Sequence, residues 1–182
     1  MRTNDTNKKI TGFTLLEMVV AIGVFSVAVL LAVSSFLSLQ NAEKKIQSSV
    51  NLQNNLRFAL EIMAKEIRTG EFYHCGLGGG VDPADCLSGE SSLTFQNALG
   101  QTVIYRNIDS KIQKSSDGGV VFQSLSSGDI TVDDLKFYVV GSPSGDNLQP
   151  RVTITVKASK RVGANVSEFS LQTSVSQRKL AP

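Results

Sequence analysis

One uncharged apolar segment near the N-terminus constrains this chain more than any other feature. No charged residue occurs between Met18 and Leu39, and Val, Leu, Ile, Ala and Phe dominate the segment. About 20 consecutive apolar residues suffice for a helix to cross the hydrocarbon core of a bilayer. A buried helix of a soluble protein would normally show a polar face, and this segment shows none. The segment therefore predicts a membrane-spanning helix.

The flanks of this segment predict a retained anchor and its orientation. The segment exceeds the 7–15 residues typical of a removable secretory signal, and no small-x-small cleavage site closes its far end. Lys8 and Lys9 precede it closely, whereas the second lysine pair, Lys44 and Lys45, lies farther from it. The positive-inside rule then favours a cytoplasmic N-terminus, with the residues after Leu39 outside the cell membrane.

A single carboxylate interrupts the apolar character of this region. Glu17 stands among apolar residues, and no cationic side chain is nearer in sequence than Lys9. An unpaired carboxylate deep in a helix bundle would cost several kcal/mol. Glu17 either has a specific partner or extends to the lipid headgroups near the end of the helix.

The two cysteines are close in sequence. Cys75 and Cys86 flank ten residues rich in Gly, Pro and Asp, in "HCGLGGGVDPADC". An even pair in an exported domain is most simply a disulfide. A nucleophile pair of His74 with Cys75, or a metal site that adds Cys86, is the alternative. Adjacent residues rarely face each other, and three ligands without a CxxC spacing make a poor zinc signature.

Charge and motif content disfavour nucleic-acid binding and catalysis. The formal net charge of +2 comes from the first twelve residues, and the remainder carries 15 basic and 15 acidic side chains. No basic stripe typical of a nucleic-acid-binding protein is present. There is no G-x-S-x-G, HExxH or P-loop motif. Asp129, Asp133 and Asp134 could offer calcium ligands, but their spacing matches no EF-hand loop. We expect no enzyme activity, no bound metal and no cofactor.

The period of the apolar residues changes along the rest of the chain. Residues 40–69 contain no Pro, Gly70 provides a stop, and apolar side chains recur at helical spacing. Those side chains are Val50, Leu52, Leu56, Ala59, Leu60, Met63 and Ile67. Six later segments alternate as strands do: "SSLTFQN", "TVIYRN", "GVVFQSL", "DITVDDLKFYVV", "RVTITVKA" and "SEFSLQTSVS". Since turn residues and no helix separate them, we expect a small antiparallel sheet with one face on the amphipathic helix.

The stretch "KKITGFTLLEM" resembles the signature of type IV pilin-like proteins, which include type IV pilins and the pseudopilins of type II secretion and competence. The resemblance implies cleavage between Gly12 and Phe13 by a membrane-embedded prepilin peptidase, which then N-methylates Phe13. Glu17 becomes the fifth residue of the mature chain. The resemblance further implies that its carboxylate pairs with the Phe13 ammonium of a neighbouring subunit during assembly.

The resemblance and the patterns together predict an α+β, pilin-like fold in five parts. We expect a prepilin leader peptide at 1–12, a transmembrane helix at 13–39 and an amphipathic helix at 40–70. A disulfide-containing connecting loop follows at 71–90, and the antiparallel sheet of a globular head at 91–182.

The later part of the chain looks similar to minor pilins and to J-type minor pseudopilins. Major pilins often have a kinking proline where Ser34 stands, and commonly close a C-terminal loop with a disulfide, unlike this chain. The resemblance implies a structural minor subunit of a type IV pilus or type II secretion pseudopilus. Its partners would be the prepilin peptidase, other pilin or pseudopilin subunits, the inner-membrane assembly platform and the lipid bilayer. The alternative is a monomeric, membrane-tethered extracytoplasmic domain that binds a ligand or partner.

Overall fold

The structure, a computed structural model, describes residues 12–77, 82–143, 145, 148–163 and 165–178. The chain divides into two compact units, Met1–Glu43 and Lys44–Pro182, and the second is referred to below as the head. The described elements are α1 (Leu15–Arg68), β1 (Glu71–Cys75), β2 (Cys86–Glu90), β3 (Ser92–Gln96), β4 (Thr102–Ile108), β5 (Lys111–Ser115), β6 (Gln123–Ser124), β7 (Thr131–Val140), β8 (Arg151–Val162) and β9 (Asn165–Ser176).

The part of α1 in the first unit is exposed at every position. By length and composition this helix could cross a membrane, with a mean hydropathy of 2.6 over its most apolar stretch. The hydroxyls of Ser26 and Ser34 donate to the carbonyls of Ile22 and Leu30, at 2.8 and 2.9 Å. Because these hydroxyls are satisfied by the helix itself, they do not oppose an apolar environment.

The part of α1 in the head buries one face. Its buried residues are Ser48, Leu52, Leu56, Ala59, Leu60, Met63 and Ile67. Val50, which the sequence pattern placed with them, is instead 47% exposed. A residue two positions before Leu52 lies roughly 200° away around the helix axis, so both cannot face the sheets.

The strands form two antiparallel sheets, where the sequence predicted one. The first has the order β1-β3-β4-β5-β6, and the second has the order β2-β7-β8-β9. The α+β class and the antiparallel pairing are confirmed. Two sheets form because none of the described strands β1, β3, β4, β5 and β6 pairs with β7, β8 or β9. β2 joins the second sheet by pairing with β7, which follows it by more than 40 residues.

Several strands differ from those that the sequence pattern indicated. Residues 71–90, expected to be a connecting loop, contain β1 and β2. The strand β5 has a single large apolar residue, Ile112, so the alternation of apolar and polar residues that indicates a strand is weak there. The predicted strand "GVVFQSL" contains only the two residues of β6. The Asp117 carboxylate accepts hydrogen bonds from the amides of Val120 and Val121, at 3.0 and 3.1 Å, which holds these residues in a loop.

Polar contacts fix the C-terminal end of α1 to the sheets. The buried Tyr73 hydroxyl lies 2.6 Å from the Ile67 carbonyl oxygen and 2.5 Å from that of Gly70, so it caps the end of the helix. Tyr105 donates to Glu66 at 2.6 Å, and Glu66 also pairs with Lys114. Burial, and then the Glu66 carboxylate, raise the pKa of Tyr105 well above its usual value, so Tyr105 is a permanent donor.

The capping role of Tyr73 can be tested by a substitution that removes only its hydroxyl group. Tyr73→Phe keeps the buried ring but leaves the Ile67 and Gly70 carbonyls without this donor. Both carbonyls keep another donor, the Gly70 amide for Ile67 and the Gln177 side-chain amide for Gly70. We therefore expect the free energy of unfolding to fall by about 0.5–1.5 kcal/mol, the net contribution of one hydrogen bond. The measurement is urea unfolding of the detergent-solubilised chain, followed by circular dichroism.

The matched control for this experiment is Tyr138→Phe. Tyr138 is half-buried, and its hydroxyl makes no hydrogen bond within the part of the chain that the structure describes. Its removal should change stability by less than about 0.5 kcal/mol. Equal effects of the two variants would contradict the capping role.

Candidate functional site

The first part of the candidate site is the junction before α1. Gly12, Phe13 and Thr14 lie outside the helix, which begins at Leu15. Phe13 is 77% exposed. A Cβ atom at Gly12 would meet nothing within 4 Å, so the fold of this chain does not require glycine there. The Gly12–Phe13 peptide bond is therefore accessible in a non-helical segment.

Thr14 defines where the helix begins. Its hydroxyl oxygen accepts a hydrogen bond from the Glu17 amide at 3.3 Å, and its carbonyl accepts one from Met18 at 3.2 Å. A threonine at the N-cap with a glutamate three residues later is the capping-box pattern. Because the cap is Thr14, cleavage before Phe13 would leave the whole helix start intact.

Glu17 lies in the first turn of α1 and is exposed. Its carboxylate forms no ion pair with any described residue. A negative charge here also favours the helix through the macrodipole, by about 0.3–1 kcal/mol when exposed. Arg2, Lys8 and Lys9, the basic residues of the expected leader, lie outside the described residues. Phe13 and Glu17 are four residues apart, about one helical turn.

The second part of the site is the disulfide between Cys75 and Cys86, whose Cα atoms are 6.2 Å apart. Cys75 ends β1, and Cys86 begins β2. Because these strands belong to different sheets, the bond joins the edge of one sheet to the edge of the other. The sequence indicated a crosslink within a loop, and only the strand pairing shows that it connects two sheets.

The alternative functions of the cysteines and acidic residues find no support in the described geometry. Both thiols are oxidised, so neither is a nucleophile beside His74. No cluster of three or more His, Cys, Asp or Glu side chains that could hold a metal occurs in residues 12–77, 82–143 and the later described ranges. Asp129 pairs with Lys160, and hydrogen bonds from Lys160 and then Ser127 lower the pKa of its carboxyl group.

The disulfide should stabilise the head measurably. Replacing both cysteines by serine should lower its free energy of unfolding by about 3 kcal/mol, because the bond closes a short loop in the unfolded chain. Urea unfolding of the detergent-solubilised protein measures the difference. Reducing the wild-type protein with dithiothreitol should give the same loss, and a double variant as stable as the wild type would contradict the expectation.

Comparison with known families identifies a match at the N-terminus alone. Residues 7–33 match the family described as the prokaryotic N-terminal methylation motif. The matched residues include the Gly12–Phe13 junction, the Thr14 cap, Glu17 and most of the apolar segment. No curated protein and no solved structure matches the chain.

The matched residues 7–33 overlap the start of α1 and its exposed apolar part. The motif ends within the exposed apolar part of α1, and the antiparallel sheets of the head follow the same helix. A membrane-anchored pilin has this order of elements. The match over residues 7–33 supports a type IV pilin-like protein, a subunit of the pilin or pseudopilin type.

Proposed function

We propose that this protein is a structural minor subunit of a type IV pilus or of a type II secretion pseudopilus. The observation that carries the proposal is the position of the methylation motif. Its Gly12–Phe13 junction lies directly before the capped start of an exposed helix that is apolar enough to span a membrane. In this proposal residues 1–12 are a leader, 13–39 a transmembrane helix and the remaining residues an extracytoplasmic head.

Processing would create a positively charged group, the α-amino group of Phe13, with which the Glu17 carboxylate can pair. Cleavage by a prepilin peptidase frees the α-amino group of Phe13, and an α-amino group has a pKa of about 7.7–8. Methylation keeps this nitrogen basic, so it carries a positive charge near neutral pH. The new ammonium and the Glu17 carboxylate then lie about one turn apart within one chain.

The proposed role of Glu17 is to select the stagger between neighbouring subunits. In an apolar helix bundle an unpaired carboxylate costs several kcal/mol. Pairing with the Phe13 ammonium of a neighbour at about 4 Å contributes up to about 4 kcal/mol at an effective dielectric constant near 20, before desolvation is subtracted. Only one axial offset between two helices brings these groups together, so the charge pair favours that offset over others.

Two features support a minor rather than a major subunit. The helix α1 passes Ser34 without interruption, and the Ser34 hydroxyl bonds within the helix where a major pilin often has a proline. The disulfide follows α1 directly and joins β1 to β2, and does not close a C-terminal loop. The proposed partners are the prepilin peptidase, other pilin or pseudopilin subunits, the assembly platform of the inner membrane and the bilayer.

The processing step gives a direct test. Protein purified from membranes should begin at Phe13 and carry one additional methyl group, as measured by intact mass spectrometry. Gly12→Val should leave the full-length precursor in the membrane, although a Cβ there would meet no described atom within 4 Å. A wild-type chain that retains Met1 or Arg2 in cells with an active prepilin peptidase would refute the assignment.

The assembly role of Glu17 has its own test. Glu17→Val removes the favourable interaction with the helix dipole, about 0.3–1 kcal/mol, but also removes an unpaired carboxylate that costs several kcal/mol in an apolar environment. The anchored monomer should therefore be no less stable. Cleavage before Phe13 should continue. The ratio of filament-associated to membrane-associated protein should fall at least about tenfold, the equivalent of 1.4 kcal/mol.

The control is Glu43→Val, which removes an exposed glutamate outside the apolar segment. This variant should leave the ratio close to that of the wild type. A ratio unchanged by Glu17→Val would favour the alternative in which the Glu17 carboxylate only extends to the lipid headgroups. Absence of the wild-type protein from filaments would favour the monomeric tethered domain.

A further inference from the structure

Thr14 sets the boundary between the cleavage junction and α1. Its hydroxyl oxygen accepts the Glu17 amide at 3.3 Å, and its carbonyl accepts the Met18 amide at 3.2 Å. A side-chain acceptor at the N-cap satisfies an amide that has no carbonyl partner within the helix. The helix therefore begins at Leu15 and does not include the Gly12–Phe13 bond.

The carbonyl of the Gly12–Phe13 bond consequently lies outside the helical hydrogen-bond pattern. No described residue donates a hydrogen bond to the Gly12 carbonyl oxygen. If the helix began one turn earlier, this oxygen would accept the Leu16 amide, four residues further along the chain. A peptidase has to reach this carbonyl and stabilise the charge that develops on its oxygen. A helical hydrogen bond would occupy the oxygen and enclose the bond within a turn of helix.

The sequence decides where the helix would begin if the Thr14 cap were lost. N-caps are preferentially Ser, Thr, Asp or Asn, and none of these residue types occurs from Leu15 to Phe25. A later start would also leave uncapped amides in the apolar segment, where each is costly. Upstream, Thr11 precedes Thr14 by three residues, although it lies outside the described residues. Loss of the cap would therefore shift the helix start toward Thr11 and bring Gly12–Phe13 into its first turn.

We propose that Thr14 is a positioning residue for the processing step, an inference that rests on the proposed function. Its cap keeps the Gly12–Phe13 bond out of the helix, where the prepilin peptidase can hydrolyse it. In this hydrolysis the C–N bond breaks and one water is consumed. Its oxygen joins the Gly12 carbonyl carbon to give a carboxylate, and its two hydrogens leave Phe13 as an ammonium. Thr14 contributes no atom to the reaction and acts through the backbone of the two residues before it.

The roles of Thr14 and Glu17 are separable on this basis. Glu17 takes part in the cap through its backbone amide, which Glu17→Val retains. The acceptor is the Thr14 side chain, which a substitution removes. Cleavage should therefore depend on the side chain at position 14 and not on the carboxylate at position 17, whereas the proposed assembly step depends on that carboxylate.

The first measurement separates capping from direct recognition of threonine by the peptidase. Thr14→Val keeps the shape of threonine and removes the acceptor, whereas Thr14→Ser and Thr14→Asn change the shape and retain a capping oxygen. In pulse–chase labelling in the native host, Thr14→Val should be cleaved at least fivefold more slowly than the wild type. The Ser and Asn variants should be cleaved within about twofold of the wild-type rate. Ser26→Ala, which removes a hydroxyl within the helix, is the matched control and should be cleaved at the wild-type rate.

The second measurement does not depend on the peptidase. The full-length precursor is purified from cells that lack this enzyme, and the ¹³Cα chemical shifts of Gly12 and Phe13 are measured by NMR in detergent micelles. In Thr14→Val both shifts should move toward helical values, because the helix start moves upstream. In Thr14→Asn both should remain at the wild-type positions.

Three results would overturn the inference. They are wild-type cleavage of Thr14→Val, slow cleavage of all three Thr14 variants, which would indicate direct recognition of threonine, and unchanged shifts of Gly12 in Thr14→Val. If any of them occurs while the wild-type chain is cleaved before Phe13, the role of Thr14 is refuted and the proposed function stands. A wild-type chain that retains its leader refutes the proposed function and this role together.

Discussion

The burial of one face of α1 against two sheets is the interaction on which the head depends. Fully burying a Leu, Ile or Met side chain contributes about 1.5–3 kcal/mol, and the core face of α1 provides six apolar residues between positions 52 and 67. The alternating residues Val152, Ile154 and Val156 of β8 are part of the same core. Neither sheet has another helix to cover it among the described elements, so the sheets and the second half of α1 stabilise each other.

Polar contacts set the position of this helix more than they add to its stability. The Tyr73 hydroxyl reaches the last carbonyls of α1, and Gly70 permits the turn because a Cβ there would lie 2.5 Å from the Phe95 ring. Glu66 binds both Tyr105 and Lys114. These contacts fix the direction in which the chain leaves the helix. The disulfide then holds the first strands of the two sheets together.

The two parts of α1 differ in how their apolar residues are distributed and buried. In the head, apolar side chains occupy one face and are buried. In the first unit every position is exposed, and the apolar residues surround the helix. Such a surface is stable in lipid or against other apolar helices and not in water. The proposed function accounts for both parts, since one helix anchors the subunit and supports its head. Within this view Glu17 has two compatible roles, because its backbone amide donates to the Thr14 cap and its carboxylate is free to pair with a neighbour's ammonium.

The sequence by itself determined the features that depend on neighbours along the chain. The apolar segment, the unusual position of Glu17 and the pairing expected for Cys75 and Cys86 follow from composition and spacing. The Gly12–Phe13 junction follows from the resemblance of its short motif to that of type IV pilin-like proteins. Helical and strand periods are local as well, so the α+β class and most strands of the second sheet could be predicted. Each of these properties is set by residues close in sequence.

Only the tertiary structure decided how distant segments combine. The sequence indicated one sheet, but none of the strands β1, β3, β4, β5 and β6 pairs with β7, β8 or β9, so the described strands form two sheets. The long-range pairing of β2 with β7 adds β2 to the second sheet. It also changes the disulfide from a loop crosslink to a link between sheets. The exposure of Val50 and the open edge of β9 depend on which surfaces remain after packing. Local patterns carry no information on these points, because burial is a property of the assembled core and not of the sequence around one residue.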